Sequence, residues 1–81
     1  MPVFKTSRHV VLSEERRRTL ASRASAARKA AGLTQETLAH QAGVSAEHIR
    51  RIERGAGNPS LATLYALTDA MGIPLADLVP D

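Results

Sequence analysis

Four hydroxyl residues and four glycines punctuate this chain in alternation: Ser13 and Gly32, Thr34 and Gly43, Ser45 and Gly55, Ser60 and Gly72. A Ser or Thr ahead of a helix accepts a hydrogen bond from a first-turn amide that has no partner inside the helix. A Gly just past the end adopts the left-handed backbone that stops the helix. The alternation predicts four helices, beginning after Ser13, Thr34, Ser45 and Ser60 and stopping at the glycines. It leaves almost no chain for a sheet.

Apolar spacing agrees with this reading. Leu20, Ala24, Ala27 and Ala31 recur at helical intervals and form a stripe of small residues on the first helix. Leu33 with Leu38, and Val44 with Ile49, sit where hydrophobic staples fix the entry of the second and third helices. Leu61, Leu64, Leu67, Thr68 and Met71 give the fourth its expected inner face. Pro74 opens a last short helix, Leu75 to Val79, which Pro80 closes. The prediction is an all-α, five-helix domain over residues 13–81. Residues 1–12 form an N-terminal arm ahead of it. Within FKTSRHVVL, from Phe4 to Leu12, β-branched residues allow a short strand or an extended segment. There is no internal repeat.

A chain of 81 residues makes one domain with a small core. It has no cysteine, so neither a disulfide nor a thiolate metal site is expected, and cytoplasm is the default compartment. No run approaches the roughly 20 apolar residues that span a membrane. Phe4 and Tyr65 are the only aromatics, too few to stack a single strand of nucleic acid. Charge is divided unevenly. Residues 1–54 hold all eleven Lys and Arg against five acids, a net +6, whereas residues 55–81 hold three Asp and no base. That asymmetry suits a polyanion on one surface and a different role for the other. Catalysis is poorly served. His9, His40 and His48 are isolated, Glu14 and Glu15 stabilise a helix start, and the glycines end helices rather than cradle a phosphate. No catalytic residue, metal or cofactor is expected.

The second and third helices are joined only by Gly43-Val44-Ser45. Ala39 is small enough for one helix to cross closely over the other, Gly43 turns the chain, and Ile49 fills the angle between them. Residues 34–55 therefore read as a helix-turn-helix. Its short, stapled turn presents the third helix, residues 45–54, as a fixed ridge. Ile49 and Ile52 point inward. Glu47, Arg50, Arg51 and Arg54 point away, and Ala46 lies at the N-terminal end. A helix in the major groove reads bases with its N-terminal residues. Arginine suits guanine, and a carboxylate can accept from the cytosine amino group.

From Leu33 to Val79 the sequence LTQETLAHQAGVSAEHIRRIERGAGNPSLATLYALTDAMGIPLADLV resembles the Cro/λ-repressor-like helix-turn-helix family, also called the XRE family. The residues that carry the likeness are Gly32-Leu33-Thr34-Gln35, Leu38-Ala39, Gly43-Val44-Ser45, Ile49 to Gly55, Asn58 to Leu61, and Leu64 to Ile73, with their spacing kept. The likeness runs over roughly residues 17–79. It implies a five-helix domain that binds operator DNA, commonly as a homodimer. It implies base contacts at Ala46, Glu47 and Arg51, with Arg50 as an additional one. Phosphates would meet Thr34, Gln35, Ser45, His48, Arg54 and Asn58. Glu53 would pair with Arg28 of the first helix. Three features depart from the family pattern: small Ala24 and Ala27, Pro74 at the last cap, and the long arm.

Two functions fit these residues. One is a stand-alone transcriptional regulator of double-stranded DNA, of the repressor or restriction-modification controller type. With no effector-binding domain in the chain, it would be expected to act through its own concentration. The other is an antitoxin that binds a toxin and autoregulates its operon. Ile73, Leu75, Leu78 and Val79, with the arm, are the candidate dimer interface, because a domain this small is expected to leave them little core to fill.

Overall fold

The structure, a computed structural model, describes residues 10–80. Four helices follow in order: α1 over Glu14–Ala30, α2 over Gln35–Ala42, α3 over Ala46–Glu53 and α4 over Leu61–Met71. Each begins at the expected cap. The hydroxyls of Ser13, Thr34, Ser45 and Ser60 accept from the backbone amides of Arg16, Thr37, His48 and Thr63 at 3.0–3.2 Å. All four helices close through the same pair of bonds. At Gly43, for example, its own amide donates to the His40 carbonyl at 3.3 Å and the Val44 amide to the Ala39 carbonyl at 3.0 Å. Gly43 has φ +73°, a conformation that costs a residue with a Cβ roughly 1–2 kcal/mol.

The core is a single cluster. Leu38 and Ala39 from α2, Ile49 and Ile52 from α3, Leu64, Leu67 and Met71 from α4, and Leu20 and Ala24 from α1 are all buried in it. Helix α2 packs against both α3 and α4, while α1 packs against α3. Ala24 is only 3% exposed, so its small side chain lets α1 lie close to the rest. Gly57 serves a similar purpose in the loop after α3. An added Cβ would stand 3.0 Å from Ile52 Cγ1 and 3.2 Å from Ile52 Cα, so a side chain here would press on Ile52 and push it by a few tenths of an ångström.

Several expectations need correction. The fifth helix is a single 3-10 turn, Leu75–Asp77. Its starting residue, Pro74, has no side chain that can cap, and only five residues separate Pro74 from Pro80. That length holds one turn of helix and little more. The described residues therefore form four α-helices and one 3-10 turn. Leu61, expected on the inner face of α4, is 58% exposed, because it lies in the first turn, ahead of where α4 meets its neighbours. Ala31 is exposed as well, and Ala21 lies in the core instead. Leu78, expected at an interface, is wholly buried in the chain's own core. The turn at Leu75–Asp77 folds back on α4 and carries Leu78 inward. Residues 1–9 of the expected arm, with the first part of the possible strand, lie outside the described residues. Val10, Val11 and Leu12 belong to no helix or strand.

Candidate nucleic-acid interface

Helices α2 and α3 pack against each other, Ala39 and Ile49 are buried in their common core, and only three residues separate the two helices. Ile49 and Ile52 face the core at 1–2% exposure, so the residues between and beyond them face out. Glu47, Arg51 and Arg54 are exposed, while Ala46, His48 and Arg50 are half-buried. The outer surface of α3 therefore carries the charge, as its spacing required.

These charges are not independent. Arg50 donates from Nε to Glu47 Oε2 at 3.2 Å and from Nη1 to Glu36 Oε2, on α2, at 3.2 Å. Arg54 Nη2 lies 3.5 Å from Glu47 Oε1. The hydrogen bond from Arg50, joined by the charges of Arg54 and Arg50, outweighs desolvation and holds the Glu47 carboxyl below its usual range. Arg51 makes no ion pair or side-chain hydrogen bond with any described residue.

The expected phosphate-facing residues are also engaged locally. Thr34 and Ser45 use their hydroxyl oxygens as helix caps. The Gln35 amide donates to Glu53 Oε1 at 3.2 Å, which ties it to the ion pair behind α3. Asn58 Oδ1 accepts from the Leu12 amide at 3.2 Å. Arg28 and Glu53 form a two-limbed pair at 2.8 and 3.0 Å, and Arg28 Nη1 also donates to the Leu33 carbonyl at 2.8 Å. Burial pushes the Glu53 carboxyl up, but the hydrogen bonds from Arg28 and Gln35 pull it down further, so it sits below its ordinary value. The same bond to Glu53 raises Arg28.

Two residues with a part at this surface were not singled out by spacing. Arg17 bridges the Leu12 carbonyl at 2.6 Å and the Gly55 carbonyl at 3.1 Å. Together with the Leu12–Asn58 bond, it clasps the start of the domain to the loop after α3. In the sequence Arg17 is one of three consecutive arginines, Arg16 to Arg18, a tract that suits a solvated face or a phosphate or partner contact alike. Glu36 reaches Arg50 across 14 residues. The tight turn between α2 and α3 was the one signal that could have placed them together.

Residues 25–78 match the Helix-turn-helix family HTH_3. The chain belongs to this helix-turn-helix family of DNA-binding transcriptional regulators. It is 40% identical over 52 residues to an uncharacterized HTH-type transcriptional regulator of Sinorhizobium fredii, covering 64% of this chain and 68% of that one. It is 43% identical over 61 residues to the immunity repressor protein of Bacillus phage phi105, covering 75% of this chain but only 42% of the repressor. Its fold resembles the crystal structure of the restriction-modification controller protein C.AhdI from Aeromonas hydrophila. That likeness has a TM-score of 0.74 and 34% identity, over 76% of this chain and 94% of that one. No helix among the described residues is long and apolar enough to cross a membrane.

Proposed function

We propose that this protein binds a specific double-stranded operator by laying α3 in the major groove, and that it acts as a repressor or as a controller of a restriction-modification operon. The observation that carries this reading is Arg51. It is an exposed guanidinium with no partner among the described residues, on a helix whose position is set by a three-residue turn and a buried core. A free arginine on a rigid ridge suits the two acceptors of guanine. Ala46, Glu47 and Arg50 complete the base-reading surface. Thr34, Gln35, Ser45, His48, Arg54 and Asn58 flank it as phosphate contacts. Likeness to a phage immunity repressor and to a restriction-modification controller supports the choice of regulator type.

One recognition helix reads few base pairs, so the active species in this reading is a homodimer on a pseudo-palindromic site. Ile73, Leu75 and Val79, each half-buried, remain the candidate contact after Leu78 is assigned to the core. The test is titration of the protein onto the DNA upstream of its own reading frame, against random duplex at several salt concentrations, with sedimentation of the free protein and the complex. The reading expects a salt-dependent preference for the upstream DNA and a dimer on it. Equal binding to random duplex at moderate salt overturns it, and a monomer on the DNA removes the dimer.

A further inference from the structure

The outward surface of the helix-turn-helix holds three arginines and two carboxylates. Two of the three arginines, Arg50 and Arg54, are already in contact with Glu47, and Arg50 is held from its other side by Glu36. Both carboxylates are exposed, Glu36 at 69% and Glu47 at 57% of the side chain. They therefore face any polyanion that approaches α3. Glu36 and Arg50 lie on different helices, so the pair exists only because the turn brings α2 and α3 together.

We infer that Glu36 and Glu47 are specificity-determining residues that hold Arg50 and Arg54 away from arbitrary phosphates. A phosphate and a carboxylate compete for the same N–H groups of a guanidinium. To engage Arg50, a non-specific duplex must displace both carboxylates, which leaves Glu36 unpaired and Glu47 with Arg54 alone beside the negative backbone of the duplex. A correct site offsets that loss, because a base amino group in the groove can donate to Glu47 once Arg50 has moved. The exchange taxes every sequence at the phosphate step and refunds only the one with the right donor. Arg51, which has no carboxylate to leave, meets DNA without this cost. Glu36 contacts no base in this scheme and acts through Arg50.

The inference rests on the DNA-binding reading above and can fail separately from it. The experiment is fluorescence anisotropy of the full chain with random-sequence duplex, and with a duplex selected by the wild type from a random pool, over a series of salt concentrations. The variants are Glu36→Gln, Glu47→Gln and the double variant, with Asp69→Asn on α4 as a control of equal charge change. Thermal melts accompany each variant. Releasing an exposed ion pair shifts an equilibrium by about 1.5- to 5-fold, so each Gln variant is expected to bind random duplex that much tighter than Asp69→Asn does. The logarithmic salt slope steepens by about 0.9 for each extra phosphate engaged, whereas the control leaves it unchanged. Preference for the selected site over random duplex falls in both single variants. For Glu36→Gln it falls with no loss of affinity for the selected site. Gln variants that match the control in affinity and slope, or that bind random duplex more weakly, overturn the inference while leaving DNA binding in place. Absence of duplex binding by wild type and variants alike at low salt overturns both.

Discussion

Arg28 of α1 and Glu53 of α3 meet fork to fork, Nε to Oε2 at 2.8 Å and Nη2 to Oε1 at 3.0 Å, with side chains only 12% and 8% exposed. This pair joins the first helix to the last residue of α3. The Leu33 carbonyl accepts a further bond from Arg28, and the Gln35 amide donates another to Glu53. Removing one member strands the other in a poorly hydrated site. The partner left behind, more than the lost contact, sets the cost.

The first prediction separates two arginines that composition treats alike. Arg28→Ala is expected to destabilise the fold by up to about 3–5 kcal/mol, the cost of breaking a buried pair. Arg51→Ala is exposed and unpaired among the described residues, so its melt should stay within about ±0.5 kcal/mol of wild type. Its binding to a selected duplex should weaken by roughly 1–3 kcal/mol, with preference relaxed at one base pair. Thermal melts and duplex titrations of both variants decide the matter. An Arg28→Ala protein that melts like wild type yet loses site preference would reverse the two roles.

A second prediction concerns pH. The Glu53 carboxyl is lower in the folded chain than in the unfolded one, since its hydrogen bonds outweigh its burial. The unfolded chain therefore takes up the proton first as pH falls. The stabilisation from this group is complete above the unfolded value of about 4.3 and is lost as pH drops through the folded value. Glu53→Gln should be less stable near neutrality, because Arg28 loses its counter-charge, but its stability should fall less between about pH 5 and pH 3. Denaturant midpoints measured down that range for both proteins provide the check. Parallel curves would mean that Glu53 does not drive the acid limb.

Leu78 supplies a third. It is fully buried within the chain, so Leu78→Ala should cost about 2–5 kcal/mol as a core truncation. If the side chain instead served a dimer interface, the loss would depend on protein concentration. Melts at two concentrations a hundredfold apart distinguish these outcomes, and the structure expects equal shifts in both.

The fourth tests the close approach at Gly57. A methyl there meets Ile52 Cγ1 and Cα at 3.0 and 3.2 Å, and Ile52 is a core residue, 2% exposed. Gly57→Ala is expected to destabilise by about 1–3 kcal/mol, as overpacking does. At Gly32, where an added Cβ meets nothing within 4 Å but φ is +73°, alanine should cost roughly 1–2 kcal/mol from backbone strain alone. Gly57→Asn should then be worse than Gly57→Ala, whereas Gly32→Asn, which tolerates the left-handed region, should be milder than Gly32→Ala. Finding the same order at both sites would count against this division.

What the sequence determined by itself was local. Each helix start is a hydroxyl bonding an amide three residues on, and each stop is a glycine whose freedom belongs to its own backbone. Both can be read within a few residues, so the bounds of α1 to α4 and the helix-turn-helix were legible. So was the Arg28–Glu53 pair, though only through the family likeness, since nothing in spacing alone joins residues 25 apart. Tertiary structure decided the rest. Leu61 and Leu78 are the same side chain, each beside a polar neighbour in the sequence, yet one is exposed and the other has no surface. The difference lies in where the Leu75–Asp77 turn folds back, which a period of 3.6 does not contain. Likewise Arg17, Arg50 and Arg51 look alike in a string of charges. Their partners, the Gly55 carbonyl for the first, Glu36 for the second and none among the described residues for the third, follow from which helices cross and how closely. Long side chains sample many rotamers, and only the assembled fold supplies the acceptors that select among them.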